Sequence, residues 1–384
     1  MSSSSSARRV VVIGGGILGV SSAVHLARLG ARVTLVTEGA LASEASGRSL
    51  SWLNSARMRS PAYHQLRMIG IDRYRTLAAK HPTAAWLRFD GGLTWDADDS
   101  SNMIAEVYAH EQRIGYDSLL LSADEIAAVT PGVDARAVPR QGAIFNPGEG
   151  WVDLPSLIGL LSDEFVSRGG VLVTQAGRAS VALKGGRVTA VTTASGSSFE
   201  ADAVLLAAGA AVPQIAAEVG YHIPDATPIS LLVRTKPVNV ALRAVLNTPW
   251  AAVRPTPTGS LVLDSAWSEE EVGRRADGSY DVKASTVQRL LSEVSAILAG
   301  NPKLDLDSYG VGPKPIPKDG EPVLGPLDGI EGYYVAFTHS GATLGLIAGE
   351  LLAREIVTAS ESPLLETFRP SRFGRSDRRL AYAS

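Results

Sequence analysis

Val10-Val11-Val12-Ile13-Gly14-Gly15-Gly16-Ile17-Leu18-Gly19 is the stretch on which the fold turns. Its first four residues are a continuous β-branched run, the pattern of a central parallel strand buried on both faces. Directly after the glycines, Val20, Ala23, Val24 and Ala27 recur at helical spacing as far as Gly30, a C-terminal stop. A second strand, Arg32 to Thr37, completes a β-turn-α-β unit within the roughly 30 residues such a unit needs. Gly14, Gly16 and Gly19 have the dinucleotide spacing, and each meets a separate steric need. The first permits a tight turn, the second lets backbone approach a pyrophosphate, and the third lets helix pack closely on strand. The helix N-terminus then offers N–H groups and partial positive charge to the phosphates. An acidic residue closing the second strand normally holds the adenosine ribose, and here that strand ends Val36-Thr37-Glu38, which makes Glu38 the candidate. These residues alone leave open which dinucleotide is bound.

Working outward, Leu41 to Asn54 is rich in Ser, Ala and Gly and reads as an ordered loop or helix entry. Apolar spacing predicts a helix over Tyr63 to Lys80, and Ser122-Ala-Asp-Glu125 has capping-box spacing for a short helix that stops before Pro131. Leu154 to Arg168 reads as a helix ended by Gly169-Gly170, followed by a strand from Val171 to Thr174. Arg187 to Thr193 and Ser198 to Ala203 read as a hairpin leading into the buried-strand run Ala203 to Ala208. Residues 221 to 305 alternate short strands with Pro-rich turns around one helix, Val282 to Leu298. The α/β character then returns with a strand, Gly332 to Thr338, and a helix, Thr343 to Val357. No internal repeat is visible.

A chain of 384 residues exceeds one comfortable core, so two lobes are expected, interleaved in sequence. Lys+Arg 36 against Asp+Glu 39, with no long block of like charge, argues against nucleic acid as a partner. The absence of cysteine excludes disulfides, thiolate metal sites, cysteine nucleophiles and cysteinyl–flavin links, and suits a reducing cytoplasm. Met1 to Arg9 reads as neither a signal peptide nor a membrane span, and Ser2 to Ser6 as a disordered tail.

These residues resemble the D-amino-acid oxidase-like FAD-dependent oxidoreductases, a family that includes glycine oxidase and sarcosine oxidase. Beyond the N-terminal unit, Ala45-Ser46-Gly47-Arg48-Ser49 is similar to the family's Ser-x-Arg segment, and Gly142 to Gly150 with Val152-Asp153 to its strand re-entering the FAD domain. Ala207-Ala208-Gly209-Ala210 is similar to the strand end beneath the cofactor. Lys314-Pro315, Asp319-Gly320, Pro322, Gly325 and His339-Ser340-Gly341 resemble its C-terminal motif, and Phe368-Arg369-Pro370 with Arg372-Phe373 its closing segment.

The resemblance implies an α/β architecture: a Rossmann-like FAD-binding domain from residues 7–90, 140–220 and 306–384, interleaved with an antiparallel-sheet substrate domain from 91–139 and 221–305. It implies cofactor contacts from Gly14, Gly16, Ile17, Leu18, Gly19, Thr37, Glu38, Ser46, Gly47, Arg48, Ser49, Ala179, Ala208, Gly209, Ser340, Gly341, Ala342, Thr343 and Leu344. With no histidine among residues 48–51 and no cysteine, the FAD is expected to be non-covalent.

The chain departs from the family where Thr37 stands at the acidic ribose position, with Glu38 one residue late. It departs again at Lys314, where amino-acid-oxidising members carry an arginine that forks onto the substrate carboxylate. Arg57 and Arg59 resemble carboxylate-binding arginines of sarcosine-type relatives, the alternative being solvated loop cations. His339 is a candidate acid–base residue or a shaper of the flavin loop. The strand Ser260 to Ser265 lacks the lysine that such relatives use toward oxygen, so the acceptor, O2 or another, stays open. The expected reaction oxidises a C–N bond of a small amine or amino-acid-like substrate. Its alternatives are oxidation of a hydroxy acid or a larger natural product, or a redox sensor that binds FAD without catalysis.

Overall fold

The computed structural model describes residues 7–373, so the expected disordered tail at residues 1–6 lies outside the described residues. Contacts divide the chain into two compact units. Among the described residues, the first comprises 7–47, 154–228 and 313–373, and the second 48–153 and 229–312.

The first unit is built on a six-stranded sheet in the order Val323–Pro326, Tyr333–Phe337, Ala203–Leu206, Arg9–Ile13, Arg32–Val36, Val171–Val173. Arg9–Ile13 lies at the centre, parallel to both neighbours, with Val11 opposite Val204 on one side and Thr34 on the other. Only Val323–Pro326 runs antiparallel. Val10 to Ile13 are all buried, as their unbroken β-branched run requires, because helices cover a parallel sheet on both faces. The helices Ile17–Arg28, Leu154–Ser167 and Gly341–Thr358 belong to this unit. A three-stranded antiparallel sheet, Ala179–Lys184, Arg187–Thr193 and Ser198–Glu200, adds one strand to the expected hairpin.

The second unit is an eight-stranded sheet in the order Leu306–Pro313, Ile229–Thr235, Leu261–Asp264, Ala252–Pro255, Val245–Asn247, Gly92–Thr94, Ala143–Asn146, Leu119–Leu121. Its registered pairs are antiparallel except for Val245–Asn247 on Gly92–Thr94. Register fixes its two faces. Val233, Leu263, Val253, Leu246, Leu93 and Phe145 line up across the strands and form one core with Leu290, Leu291 and Val294 of helix Ala284–Ile297. The opposite face carries Arg234, Val262, Arg254, Asp264, Asn247 and Thr94 along the same strands.

The sequence reading put residues 48–90 and 140–153 with the FAD-binding segments, whereas here they group with the second unit. Strand pairing is the reason. Ala143–Asn146 is ladder-bonded inside the eight-stranded sheet, and Gly150–Val152 joins Trp52–Leu53 and Leu87–Arg88 in a small sheet of its own.

Candidate functional site

In the first unit the glycine turn has the geometry its spacing demands. Gly14 sits at φ 123°, and a Cβ there would lie 2.3 Å from the Ala207 carbonyl oxygen. At Gly19 a Cβ would fall 1.9 Å from the Gly14 oxygen, so these two glycines hold helix against strand. Gly16 is different: it precedes helix Ile17–Arg28 in extended conformation, and a Cβ would meet only the Ser46 hydroxyl, at 3.1 Å. That hydroxyl accepts the N–H of Ile17 at 3.1 Å, so Ser46, thirty residues downstream of Gly16, is seated on the first turn of the helix. Gly47 is needed beside it because a Cβ would lie 2.1 Å from the Ala42 oxygen.

A second helix terminus meets the first. A Cβ on Gly341, the first residue of helix Gly341–Thr358, would lie 3.6 Å from Ile17. Ser340, Thr343 and Leu344 are buried, and Ala342 and Gly341 half-buried. Ser340 takes its place by donating its N–H to Thr338 Oγ1 at 3.1 Å. Further along, Gly349 lets the two helices touch: its Cβ would lie 2.8 Å from the Ser21 carbonyl carbon and the Ser22 nitrogen. Leu18 is buried under the turn. Two helix N-termini, each a partial positive charge, thus open at neighbouring points, while Ala208 and Gly209 follow the strand Ala203–Leu206 beside Gly14.

Thr37, expected from the resemblance at the ribose position, is buried, with its hydroxyl 2.7 Å from where a Gly15 Cβ would stand. Glu38 is exposed, and its carbonyl accepts the N–H of Gly177 at 3.1 Å. Ala179 is buried in the same apolar cluster as Ile13 and Val36. Lys314 is half-buried and its N–H donates to the Pro228 carbonyl at 2.9 Å, while His339 is exposed. The C-terminal motifs are tied to one another. Arg372 bridges Asp319 at 2.8 Å, and the buried Arg369 forks onto Glu355 at 2.6 and 2.8 Å. A Cβ on Gly325 would strike the Arg369 guanidinium at 2.4 Å, so that glycine makes room for the fork.

Arg48, Ser49, Arg57 and Arg59 belong to the second unit. Arg48 lies along two glycines of the edge strand: Cβ atoms on Gly310 and Gly312 would fall 2.7 and 2.2 Å from its side chain. Ser49 accepts the Ser51 N–H at 3.0 Å. Arg57, at φ 68°, pairs with Asp96 through its guanidinium, and its N–H donates to Glu111 at 2.8 Å. Arg59 stacks on the Tyr63 ring at 5.9 Å.

Sequence reasoning did not find the buried polar network beside these residues. Tyr116 donates to Glu149 and accepts the Ser55 N–H at 2.9 Å. Arg67 donates to the Asn54 carbonyl at 2.7 Å and to its side chain at 2.8 Å, and Asn146 donates to Glu111 at 3.0 Å. Burial, with Glu111 adding like charge, raises the Glu149 carboxyl to about 8, against opposing donation from Tyr116 and Trp52 and the charge of Arg67. Burial likewise lowers the His64 imidazole, whose Nδ1 lies 2.8 Å from the Ser55 hydroxyl. Gly148-Glu149-Gly150 was the signal available: a lone acid between two glycines at a strand start, with a Cβ on Gly150 meeting the Arg88 oxygen at 2.0 Å.

A glycine turn between a buried central strand and a helix, joined by a second helix N-terminus, defines a dinucleotide-binding protein. More specifically, the chain belongs to the FAD dependent oxidoreductase family, DAO, which matches residues 9–355. It is 26% identical over 364 residues to the uncharacterized oxidoreductase YurR of Bacillus subtilis, covering 90% of this chain and 93% of that one. It is 24% identical to the glycine oxidase of Geobacillus kaustophilus, covering 91% and 92% of the two chains. Among solved structures, the fold is similar to L-amino acid deaminase from Proteus myxofaciens, with a TM-score of 0.82, 19% identity, and coverage of 98% and 95%. The resemblance to the family and its fold holds, and the protein is an FAD-dependent oxidoreductase. Among the described residues no helix is long and apolar enough to cross a membrane, and no group of His, Cys, Asp and Glu could hold a metal ion.

Proposed function

We propose that this enzyme oxidises a C–N bond of a small amine or amino-acid-like substrate, giving an imine that water hydrolyses. One observation carries the reading: the convergence of the Gly14–Gly19 turn, the Ser46 hydroxyl and the N-terminus of helix Gly341–Thr358 in one unit. These residues fit FAD. The Gly16 backbone and the first turn of helix Ile17–Arg28 would hold the pyrophosphate, and the first turn of Gly341–Thr358 would face the ring edge where negative charge gathers on reduction. When bound, FAD supplies a two-electron acceptor for hydride leaving the carbon next to the amine. The chain's own part is to bind and orient: no protein base is obligatory when the amine arrives neutral, so His339 needs no acid–base role. With no cysteine in the chain and no histidine beside Ser46, the cofactor is held without a covalent link.

Glycine oxidase among the relatives, and the L-amino acid deaminase among the similar structures, support amino-acid-like substrates. The test is anaerobic mixing of purified holoprotein with amines, amino acids and hydroxy acids while flavin absorbance is followed. Bleaching by an amine or amino acid, with release of ammonia or a smaller amine, is the expected result. Bleaching by hydroxy acids alone, or by dithionite alone, overturns it.

A further inference from the structure

We propose that residues 54–57 form a proton-dependent strap, pinned by buried groups around Glu149 and released when that carboxyl loses its proton. The pins come from separate elements of the second unit. Arg67, on helix Pro61–Lys80, donates to the Asn54 carbonyl at 2.7 Å and to its side chain at 2.8 Å. Tyr116 accepts the Ser55 N–H at 2.9 Å, and His64 Nδ1 lies 2.8 Å from the Ser55 hydroxyl. Glu111, on helix Ile104–Arg113, accepts the Arg57 N–H at 2.8 Å. The Arg57 guanidinium pairs with Asp96, whose other oxygen accepts the Met103 N–H at 3.0 Å just ahead of that helix. Asn54, Ser55 and Ala56 are buried, yet Met58 directly after the strap is 49% exposed. Arg57 sits at φ 68° and Ser51 at φ 56°, a conformation that residues with a Cβ keep only where their surroundings impose it. A strained segment held by several pins has a relaxed form to go to when they fail.

Tyr116 links the strap to a proton, because the hydroxyl that accepts from Ser55 donates to the wholly buried Glu149. The groups acting on Glu149 are Tyr116, Trp52 from the strand Trp52–Leu53, Glu111 and Arg67, while Arg75 donates to the neighbouring Gly148 carbonyl at 2.6 Å. His64 meets the Tyr116 ring edge-on at 5.4 Å, with His110 and Arg67 acting on it. Ionising Glu149 puts a second negative charge beside Glu111 where water is absent. Burial outweighs the pull of Tyr116, Trp52 and Arg67, and raises the carboxyl to about 8. Trp52, just ahead of the strap, and Tyr116, bonded to it, wall this carboxyl, so lifting the strap admits water and returns it towards about 4.3. The pinned form thus holds the proton more tightly. Raising the pH between these values favours the open form, and the bias is complete above about 8. Once released, the strap no longer displays Arg57 and the following Arg59 in fixed positions. No step of the oxidation proposed above enters this inference.

Native-state hydrogen exchange of the FAD-loaded protein tests the strap without substrate, at the Ser55 and Arg57 amides and, for reference, at Val253 and Leu263 in the sheet core. After correction for intrinsic exchange, protection at Ser55 and Arg57 should fall by about tenfold from pH 6.5 to 8 and by less than about threefold from 8 to 9. It should not respond to urea below the unfolding transition, whereas the reference amides should open only in a urea-dependent way. His64, lowered by burial, would give the opposite sign, and Tyr116, raised by burial, titrates above this range. E149Q keeps an acceptor for Tyr116 and should hold protection level with pH. Y116F should cost Ser55 about tenfold in protection at every pH. The proposal is overturned if wild-type protection is level with pH, if E149Q declines as wild type does, or if Ser55 and Arg57 exchange only through the urea-dependent opening of the reference amides. Should E149Q not fold, the wild-type profile decides, and a decline that keeps its slope beyond pH 8.5 overturns the role of Glu149.

Discussion

Glu149 is wholly buried, and its carboxyl is raised to about 8, so the folded protein keeps this proton at pH values where the unfolded chain has lost it. The unfolded value is near 4.3. Between these two limits the native state binds more protons, so stability falls as pH rises through the window, by at most about 1.4 kcal/mol per pH unit, and levels off above it. The E149Q variant keeps an acceptor for Tyr116 and cannot ionise. Its urea midpoint should stay level from pH 5.5 to 8.5 relative to wild type, which declines over that range. Parallel curves for the two proteins would remove Glu149 as the source. This residue also shows the limit of reading from sequence. A glutamate between glycines looks solvated, and its burial follows from Gly92, whose missing side chain leaves room for the Glu149 carboxylate at 2.2 Å from a Cβ position. Nothing local to residue 149 carries that information.

At the scale of elements, the strand–turn–helix was legible because each of its requirements is local: a buried β-branched strand, three glycines with distinct steric roles, and a helix with a stop. The short helix after Ser122 was legible for the same reason, its capping box formed as spelled. What could not be read was the meeting of separate elements, such as Ser46 on the Ile17 amide, Arg48 in the slot left by Gly310 and Gly312, and the third strand beside Arg187–Thr193. Arg254 escaped for another reason. Its alternation, with Val253 facing the core and Arg254 the opposite face, is visible in sequence, but the burial of its guanidinium against the Trp151 ring is not.

Glycine contacts make the element scale testable. Gly349 lies in helix Gly341–Thr358 and Gly159 in helix Leu154–Ser167, and alanine is favoured over glycine in either helix by about 1 kcal/mol. At Gly349 the added Cβ meets backbone of the neighbouring helix at 2.8 Å, which no rotamer change relieves, whereas at Gly159 it meets nothing within 4 Å. Overpacking costs about 1–3 kcal/mol, enough to outweigh the propensity gain at the first site only. G349A should therefore lower the thermal midpoint and weaken FAD binding, because both helix N-termini move, and G159A should raise the midpoint with FAD affinity unchanged. Equal shifts of the same sign in both variants would show that helix packing is not what Gly349 serves.

Over the whole molecule, the nucleotide-binding motif is contiguous but the sheet that supports it is not. Arg9–Ile13 borrows one neighbour, Ala203–Leu206, from far downstream, Val10 pairing with Ala203, and that strand in turn pairs with Tyr333–Phe337. Helix Ile17–Arg28 is packed by Gly341–Thr358 from near the end of the chain. A chain stopped after residue 312 keeps every glycine of the fingerprint and the whole second unit. It loses Val323–Pro326, Tyr333–Phe337 and the helix, leaving Ala203–Leu206 as a bare apolar edge. Loop closure over such distances is repaid only when all strands are present, so partial assembly gains little. The truncated chain should take up no FAD, judged by absorbance after gel filtration, and should aggregate. Its second unit has its own core between the eight-stranded sheet and helix Ala284–Ile297, and should still protect the amides of Leu246, Val253 and Leu263 in hydrogen exchange. FAD bound at stoichiometry by the truncated chain would mean that the contiguous fingerprint folds alone, and that the sheet's distant strands are dispensable to the site.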